Sequence, residues 1–322
     1  MQYRRLGKTG YQVSEIGFGA WGIGGTMWVG AEDKESVAAL HAAIDAGTNF
    51  IDTALVYGDG HSEQLVGQVV RSRKERIYVA SKVPPKNEHW PAQPADRAQD
   101  CFPPSHIIES TEQSLRNLKL DCLDLQQLHV WRDEWMEDRS WLDALLQLKA
   151  QGKVRAIGVS INDHEPDSAL KLVTSGLIDT VQVIFNIFDQ SPVETLFPAC
   201  LQHDVGLLAR CPFDEGGLTG TITPETTFPA SDWRNEYFRG DRKAQVAARA
   251  AKLTPLLGAE AKTLPELALR YCLAQPAVST VIPGMRTKKH VQANCSVSDG
   301  RRLSEGLLAS LGRHVWLRNF YD

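Results

Sequence analysis

Asp52 and Tyr57 fall in the stretch NFIDTALVYGDGHSEQLVG, residues 49 to 67, where a β-prone run gives way to a capped helix start at Ser62-Glu63. A carboxylate thus closes a strand and a phenol follows on the next loop. Taken singly, a turn-forming Asp and a half-buried loop Tyr account for both. Two more titratable groups occupy equivalent places: Lys82 near the end of RIYVASKV and His129 near the end of CLDLQQLHV. Brought together, the four form a proton-transfer set. A phenol with an ordinary pKa of about 10 is a poor acid at neutral pH. An adjacent ammonium favours the phenolate and lowers that value, while Asp52 holds the ammonium in place.

The elements that would gather these side chains are legible as a regular alternation. Two short β-prone runs around Gly7-Lys8-Thr9-Gly10 predict a hairpin. Eight strand-like segments follow: SEIGFGA, NFIDTA, RIYVASKV, CLDLQQLHV, VRAIGVSI, DTVQVIFN, VGLLARCPF and VSTVIPGM. Each precedes a helical segment, expected over 33–46, 62–71, 105–118, 141–150, 167–173, 192–202, 241–257 with 264–274, and 288–294. Such alternation implies parallel strands with right-handed crossovers. Eight units imply an α/β chain closed into a (β/α)8 TIM barrel with an N-terminal β-hairpin, one domain over 1–322. An open Rossmann-type sheet is the alternative, although GFGAWGIGG lacks the G-x-G-x-x-G spacing. In a barrel, strand tips at the C-terminal face converge on one pocket, and the stretches 84–104 and 214–240 become long rim loops beside it. Trp21, Trp28, Trp131 and Trp135 fall on rim loops, and Trp316 and Phe320 on the tail; either they line an apolar mouth or half of them merely pack loops.

Bulk properties narrow the function classes. Apolar residues at 43% and charged residues at 23% are ordinary for a globular chain. A net charge of −4 and a pI near 6.2 offer no basic face for nucleic acid or an anionic membrane. No window approaches the ~20 apolar residues of a membrane span, and the first residues lack the apolar run of a secretory signal. The six cysteines show neither a CxxC pair nor Cys/His ligand spacing, so buried free thiols, no metal and a cytoplasmic location are expected.

In its motifs the chain resembles the aldo-keto reductase superfamily over almost its whole length. The resemblance rests on NFIDTALVYGDGHSEQLVG, ASKV, DLQQLHVW, AIGVS and VIPGMR in that order. It implies a catalytic tetrad of Asp52, Tyr57, Lys82 and His129, in which Tyr57 protonates a carbonyl oxygen and His129 orients the carbonyl. It also implies NADPH/NADP+ as cofactor, a small-molecule carbonyl as substrate, and oxidoreductase activity. Asp52, Ser160 and Gln182 would serve the nicotinamide end, with Ala20 and Trp21 as a further contact. Arg210, Cys211, Pro212 and Phe213 would run beneath the nicotinamide towards the pyrophosphate. Gly284, Arg286, His290 and Asn294 would hold the adenosine end, where a guanidinium suits a 2′-phosphate.

The sequence departs from the family pattern at several of these places. Ser160 is followed by Ile161, with Asn162 one place later, and His290 and Ala293 replace commoner polar residues. Arg210 stands where an aromatic is expected beneath the nicotinamide. A guanidinium can lie flat against that ring, and its charge would disfavour the oxidised, cationic form unless Asp214 or Glu215 neutralises it; the alternative is that Arg210 turns away to hold a loop carboxylate. Two other readings remain open at this point. One is a nucleotide-sensing regulatory subunit that keeps the cofactor site with slow reductase activity. The other is a metal-dependent sugar isomerase on the same barrel, for which only Asp52 and His129 qualify as ligands.

Overall fold

The computed structural model describes residues 1–317, so Phe320 lies outside the described residues. Strands β1 (Tyr3–Arg5) and β2 (Gln12–Ser14) form an antiparallel hairpin in the register Arg4 opposite Val13. Eight parallel strands follow in chain order around one sheet. They are β3 (Phe18–Gly19), β4 (Phe50–Asp52), β5 (Tyr78–Val83), β6 (Leu123–Leu128), β7 (Val154–Ser160), β8 (Thr180–Ile184), β9 (Gly206–Arg210) and β10 (Val278–Val281). Parallel bridges Ile16–Val281 and Gly19–Gly284 join the first strand to the last. The sheet is therefore a closed (β/α)8 barrel, and the open Rossmann-type alternative falls away.

Strands of such a barrel are covered on both faces and lose the usual polar–apolar alternation. LDLQQL in β6 and TVQVI in β8 are buried at every position. Inside the barrel, Phe50, Ala80, Leu125, Ala156, Leu208 and Ile282 fill the end away from the strand tips, and Leu6 and Val13 of the hairpin pack onto them. Burying a Leu or Phe of this kind contributes about 1.5–3 kcal/mol, which fixes the hairpin as a plug in the N-terminal mouth. At the opposite mouth polar side chains, Asp52, Lys82, Gln127 and Gln182 among them, take the place of this apolar filling.

Helices cover the outside at Asp33–Asp45, His61–Arg71, Pro104–Leu118, Ser140–Ala150, Leu170–Thr174, Leu196–Gln202, Arg242–Leu253, Leu264–Leu273 and Lys288–Cys295. They sit within a few residues of expectation, with two differences of cause. The segment 167–173 opens as a 3-10 turn, Pro166–Ala169, before becoming α-helical. The helix at His61 starts on Gly60 in a left-handed conformation, and no side chain caps it. Ser62 instead donates to Ala20 O at 2.8 Å, and buried Glu63 accepts from Ser81 Oγ at 2.5 Å and Asn117 Nδ2 at 2.8 Å. Both residues expected to cap that helix are spent on tertiary packing.

The long rim loops carry short helices of their own, Ala98–Cys101 and Arg234–Tyr237, and a helix at Glu305–Leu311 follows the barrel. All six cysteines are free, with Cys101, Cys200, Cys272 and Cys295 buried. Among the described residues no helix is long and apolar enough to cross a membrane.

Candidate active site

Strand register decides which polar side chains meet. Asp52, the last residue of β4, lies opposite Ala80 of β5, so Lys82 stands two residues nearer the rim and can reach back to it. Lys82 in turn lies opposite Gln127 of β6, and Ser160 of β7 opposite Gln182 of β8. These side chains ring the barrel axis above the apolar plug.

Lys82 is fully buried, and its three N–H groups face three acceptors: Asp52 Oδ1 at 2.5 Å, Thr53 O at 2.8 Å and Tyr57 OH at 3.3 Å. That is the full donor inventory of an ammonium. Burial pulls the Lys82 pKa down and Asp52 works against that pull. The other Asp52 oxygen accepts from Gln182 Nε2 at 2.8 Å and Gln127 Nε2 at 3.3 Å. Both oxygens of the buried carboxylate thus have donors, as a buried charge requires.

Tyr57 is held by backbone geometry. Its loop crosses the loop after β3 so closely that a Cβ on Gly58 would lie 2.0 Å from Gly24 O, and Gly58 has φ +67°. Only two glycines allow this crossing. The phenol itself corrects one expectation. Burial first, and then the Asp52 charge, push its pKa well above the ordinary value, and Arg210 is the cation that opposes them. Burial, the larger cause, keeps the phenol hard to ionise despite the Lys82 ammonium 3.3 Å away. The phenol stays protonated, which suits a proton donor, and Lys82 is placed to stabilise the phenolate once the proton has left.

His129 follows β6 with its ring edge-on to Tyr57, centroids 5.8 Å apart, and to Trp90, centroids 4.6 Å apart. Burial, with the Lys82 and Arg210 charges, drives its pKa well below the ordinary value, so the ring is neutral. Its Nδ1 is buried and, among the described residues, finds no hydrogen-bond partner. The Nε2–H tautomer leaves only a lone pair unmatched there and presents a donor to the cavity.

One cavity of about 970 Å³ opens over this group, lined by Asp52, Tyr57 and His129, with Lys82 behind them. Every residue expected at the cofactor, from Ala20 and Trp21 through Ser160, Gln182 and the Arg210–Phe213 run to Gly284, Arg286, His290 and Asn294, also lines it. Lys288 and Lys289 are exposed and are not part of its wall. At the far end Arg286 Nη1 donates to Val29 O at 3.0 Å, and the helix from Lys288 begins on a Thr287 cap. Loops 25–30 and 228–237 meet along this edge, where Trp233 N donates to Met27 O at 2.8 Å and Val29 N to Asp232 Oδ2 at 3.0 Å.

Of the two readings of Arg210, the structure follows the one in which it holds a loop carboxylate, although the partner is neither Asp214 nor Glu215. Its guanidinium pairs with Asp163 at 2.5 Å and donates to Ile161 O at 3.1 Å, reaching from β9 to the loop after β7. Asp214 is committed elsewhere, to Tyr237 OH at 2.5 Å and Arg242 at 3.3 Å, and Glu215 accepts from Cys211 Sγ at 3.0 Å. The neutralising carboxylate is Asp163. Cys211, Asp214 and Glu215 all have φ near +50°, so backbone strain is concentrated on this edge of the site.

The aromatic residues divide between the two readings. Trp21 and Trp28 line the cavity with Trp90 and Trp233, whereas Trp131 and Trp135 are buried against Trp141 and Phe102 and only pack the fold. Trp316 packs on Phe188, away from the cavity. Met27, Val56 and Trp90, each more than a third exposed, form an apolar lip. Gln127 and Trp90 were not singled out from the sequence, and Asn162 was named only as displaced by one place from the family pattern. The only signal for Gln127 was a pair of amides, Gln126-Gln127, in a strand that is apolar apart from them and Asp124. Among the described residues no cluster of His, Cys, Asp and Glu is placed to hold a metal ion.

Comparison with known proteins agrees with this geometry. The profile of the aldo/keto reductase family matches residues 15–313. Aldo-keto reductase YhdN of Bacillus subtilis is 32% identical over 300 residues, covering 91% of this chain and 87% of that protein. The NADH-specific methylglyoxal reductase of Escherichia coli is 28% identical, covering 90% and 91%. A solved aldo/keto reductase from Klebsiella pneumoniae, in complex with NADP and acetate, superposes with a TM-score of 0.68 at 26% identity, covering 97% of this chain and 95% of that one. Fold, strand-tip chemistry and whole-length similarity thus converge, and the chain belongs to the aldo/keto reductase family, the NAD(P)H-dependent oxidoreductases of carbonyl and alcohol groups.

Proposed function

We propose that the protein reduces an aldehyde or ketone to the alcohol with NADPH, Tyr57 acting as general acid. The observation that carries this reading is the saturation of Lys82 by Asp52, Thr53 O and Tyr57 OH beside a neutral His129. A substrate oxygen between Tyr57 and Nε2 of His129 receives a hydrogen bond from each. As negative charge grows on that oxygen, the phenol proton moves to it and Lys82 stabilises the phenolate. The nicotinamide, when bound, supplies the hydride.

The residues present fit such a cofactor. Gln182 spends its amide nitrogen on Asp52 and leaves its carbonyl oxygen uncommitted, an acceptor suited to a carboxamide N–H, with Ser160 opposite in the register. Arg286 has one nitrogen tied to Val29 O, which presets the guanidinium as a fork for a 2′-phosphate. That fork is what supports NADPH over NADH, although one relative is named for NADH.

The test is NADPH oxidation over a panel of aldehydes, ketones and sugars, with Tyr57→Phe as control. Loss of the acid is expected to slow turnover by ~10²–10⁴, with cofactor affinity unchanged. Turnover within twofold of wild type would remove Tyr57 from its role.

A further inference from the structure

We infer that Trp90 is a positioning residue for His129, and that Asn162 holds Trp90 in place. The inference rests on the role proposed above for His129. A histidine that must present one ring nitrogen in a fixed direction is ordinarily anchored by a hydrogen bond at the other. His129 has no such anchor among the described residues, since its buried Nδ1 finds no partner. Its orientation therefore depends on what touches the ring.

Two rings do so. Tyr57 meets it at 71° and Trp90 at 89°, and the Trp90 contact is the closer by more than an ångström, 4.6 against 5.8 Å between centroids. Tyr57 must also carry the proton, so the closer constraint falls to Trp90. An edge-to-face contact at that distance is a favourable aromatic geometry, and it fixes the ring plane without taking up either nitrogen.

Trp90 belongs to the rim loop after β5, and the residue is 38% exposed, so local packing alone does not hold it. Two residues on, the backbone is clamped from both sides. Ala92 N donates to Asn162 Oδ1 at 3.3 Å, and Asn162 Nδ2 reaches back to Ala92 O at 3.5 Å. Asn162 is 3% exposed and is itself fixed by Nδ2 donation to Glu165 Oε2 at 2.9 Å. The chain of constraint runs from Glu165 through Asn162 and the Ala92 peptide to Trp90, and from there to the imidazole. An Asn that sits one place away from where the family pattern puts it thus has its own task.

The test follows the His129 ring by NMR in protein labelled at histidine, its signal assigned with His129→Gln, alongside kcat and KM for the best carbonyl of the panel. Trp90→Ala is expected to broaden or shift the His129 ring signals and to lower kcat on the order of 10–100-fold, the cost of a misplaced catalytic group, with KM changing less. Trp90→Phe restores both. Asn162→Ala keeps the indole and is expected to speed hydrogen exchange at the Ala92 amide and to move the same His129 signals by a smaller amount. A sharp His129 signal at its wild-type position in Trp90→Ala overturns the inference, whatever the activity. Should Trp90→Ala fail to fold, the Asn162→Ala spectrum decides in its place, and unchanged His129 signals there overturn the clamp. If no carbonyl is turned over by wild type, the proposed function fails while the ring signals still settle the positioning.

Discussion

Replacing Lys82 by Met removes a buried cation and leaves its partner behind. Asp52 is 2% exposed, and without Lys82 its carboxylate keeps only the neutral amides of Gln182 and Gln127. Breaking a buried ion pair in this one-sided way costs about 3–5 kcal/mol, because an uncompensated charge stays in low dielectric. Unfolding entropy of ~2.1 cal/mol/K per residue turns that loss into a drop in Tm of roughly 4–7 °C for a chain of 322 residues. The double variant Asp52→Asn/Lys82→Met removes both charges and keeps the shape, so it should recover most of the loss. Activity should behave in the opposite way, with both variants slow because neither stabilises a phenolate at Tyr57. Thermal unfolding by circular dichroism at one scan rate, beside NADPH oxidation, measures the two effects separately. A single variant as stable as wild type, or a double variant no more stable than the single, would refute the claim that this pair is buried and mutually dependent.

Three further outcomes are expected. Arg286→Ala should weaken NADPH by about 1.5–3 kcal/mol, the scale of a charged hydrogen bond, and leave NADH nearly unaffected; equal losses in fluorescence titrations would remove the phosphate contact. Because Asp163 offsets Arg210, Arg210→Tyr should move the NADPH/NADP+ affinity ratio by no more than about fivefold, whereas Asp163→Asn should uncover the charge and raise the ratio. Dissociation constants for both cofactor forms decide this, and an unchanged ratio in Asp163→Asn shows that the charge does not reach the ring. Burial pushes the Glu215 carboxyl up to about 7, so between the ordinary carboxylate range and that value the folded chain binds a proton the unfolded chain lacks. This contribution to stability is present at low pH and is lost as pH rises to 7 and above. Glu215→Gln should therefore match wild type near pH 5 and melt higher at pH 8, by at most about 3 kcal/mol in stability; a difference independent of pH would exclude the titration.

Three of the four candidate catalytic residues were readable because each lies at or next to the end of its own strand, which is a local property, and Tyr57 lies on the loop after one of them. Asp52, Lys82 and His129 needed only the period of the chain and the barrel rule to be placed together. Properties that depend on contacts between distant segments were not readable in the same way. Nothing in the spacing of Trp131 and Trp135 separates a cavity wall from a core contact; the Trp135 Nε1 bond to Asp96 O, 39 residues away, decides it. Asp214 and Glu215 are close to Arg210 along the chain, yet Asp163, 47 residues away, takes the ion pair at 2.5 Å. The Tyr57 pKa went the other way from expectation because desolvation is set by the whole fold, and no pairwise reading of Lys and Tyr contains it. Ser62 and Glu63 have the pattern of a cap but are drawn off by Ala20, Ser81 and Asn117.

The hairpin that plugs the barrel carries a consequence for the order in which the protein can be made. Arg4 of the hairpin donates to the carbonyls of Leu273, Gln275 and Val278, and Gln2 N to Ser298 Oγ. Glu15 accepts from Arg302 and from Ser298, and Ile16 and Gly19 bridge to Val281 and Gly284. Many long-range partners of residues 2–19 thus lie beyond residue 272. A ribosome delivers those partners only after the intervening barrel strands have been made, and contacts of such long sequence separation form slowly. Ala20 is already tied to Asp52 and Ser62, but Gly284, Arg286, His290 and Asn294, which wall the same cavity, arrive only with the strand near residue 280 and the helix after it. The nascent chain can hold most of the barrel and still have no finished cavity until those residues have joined it.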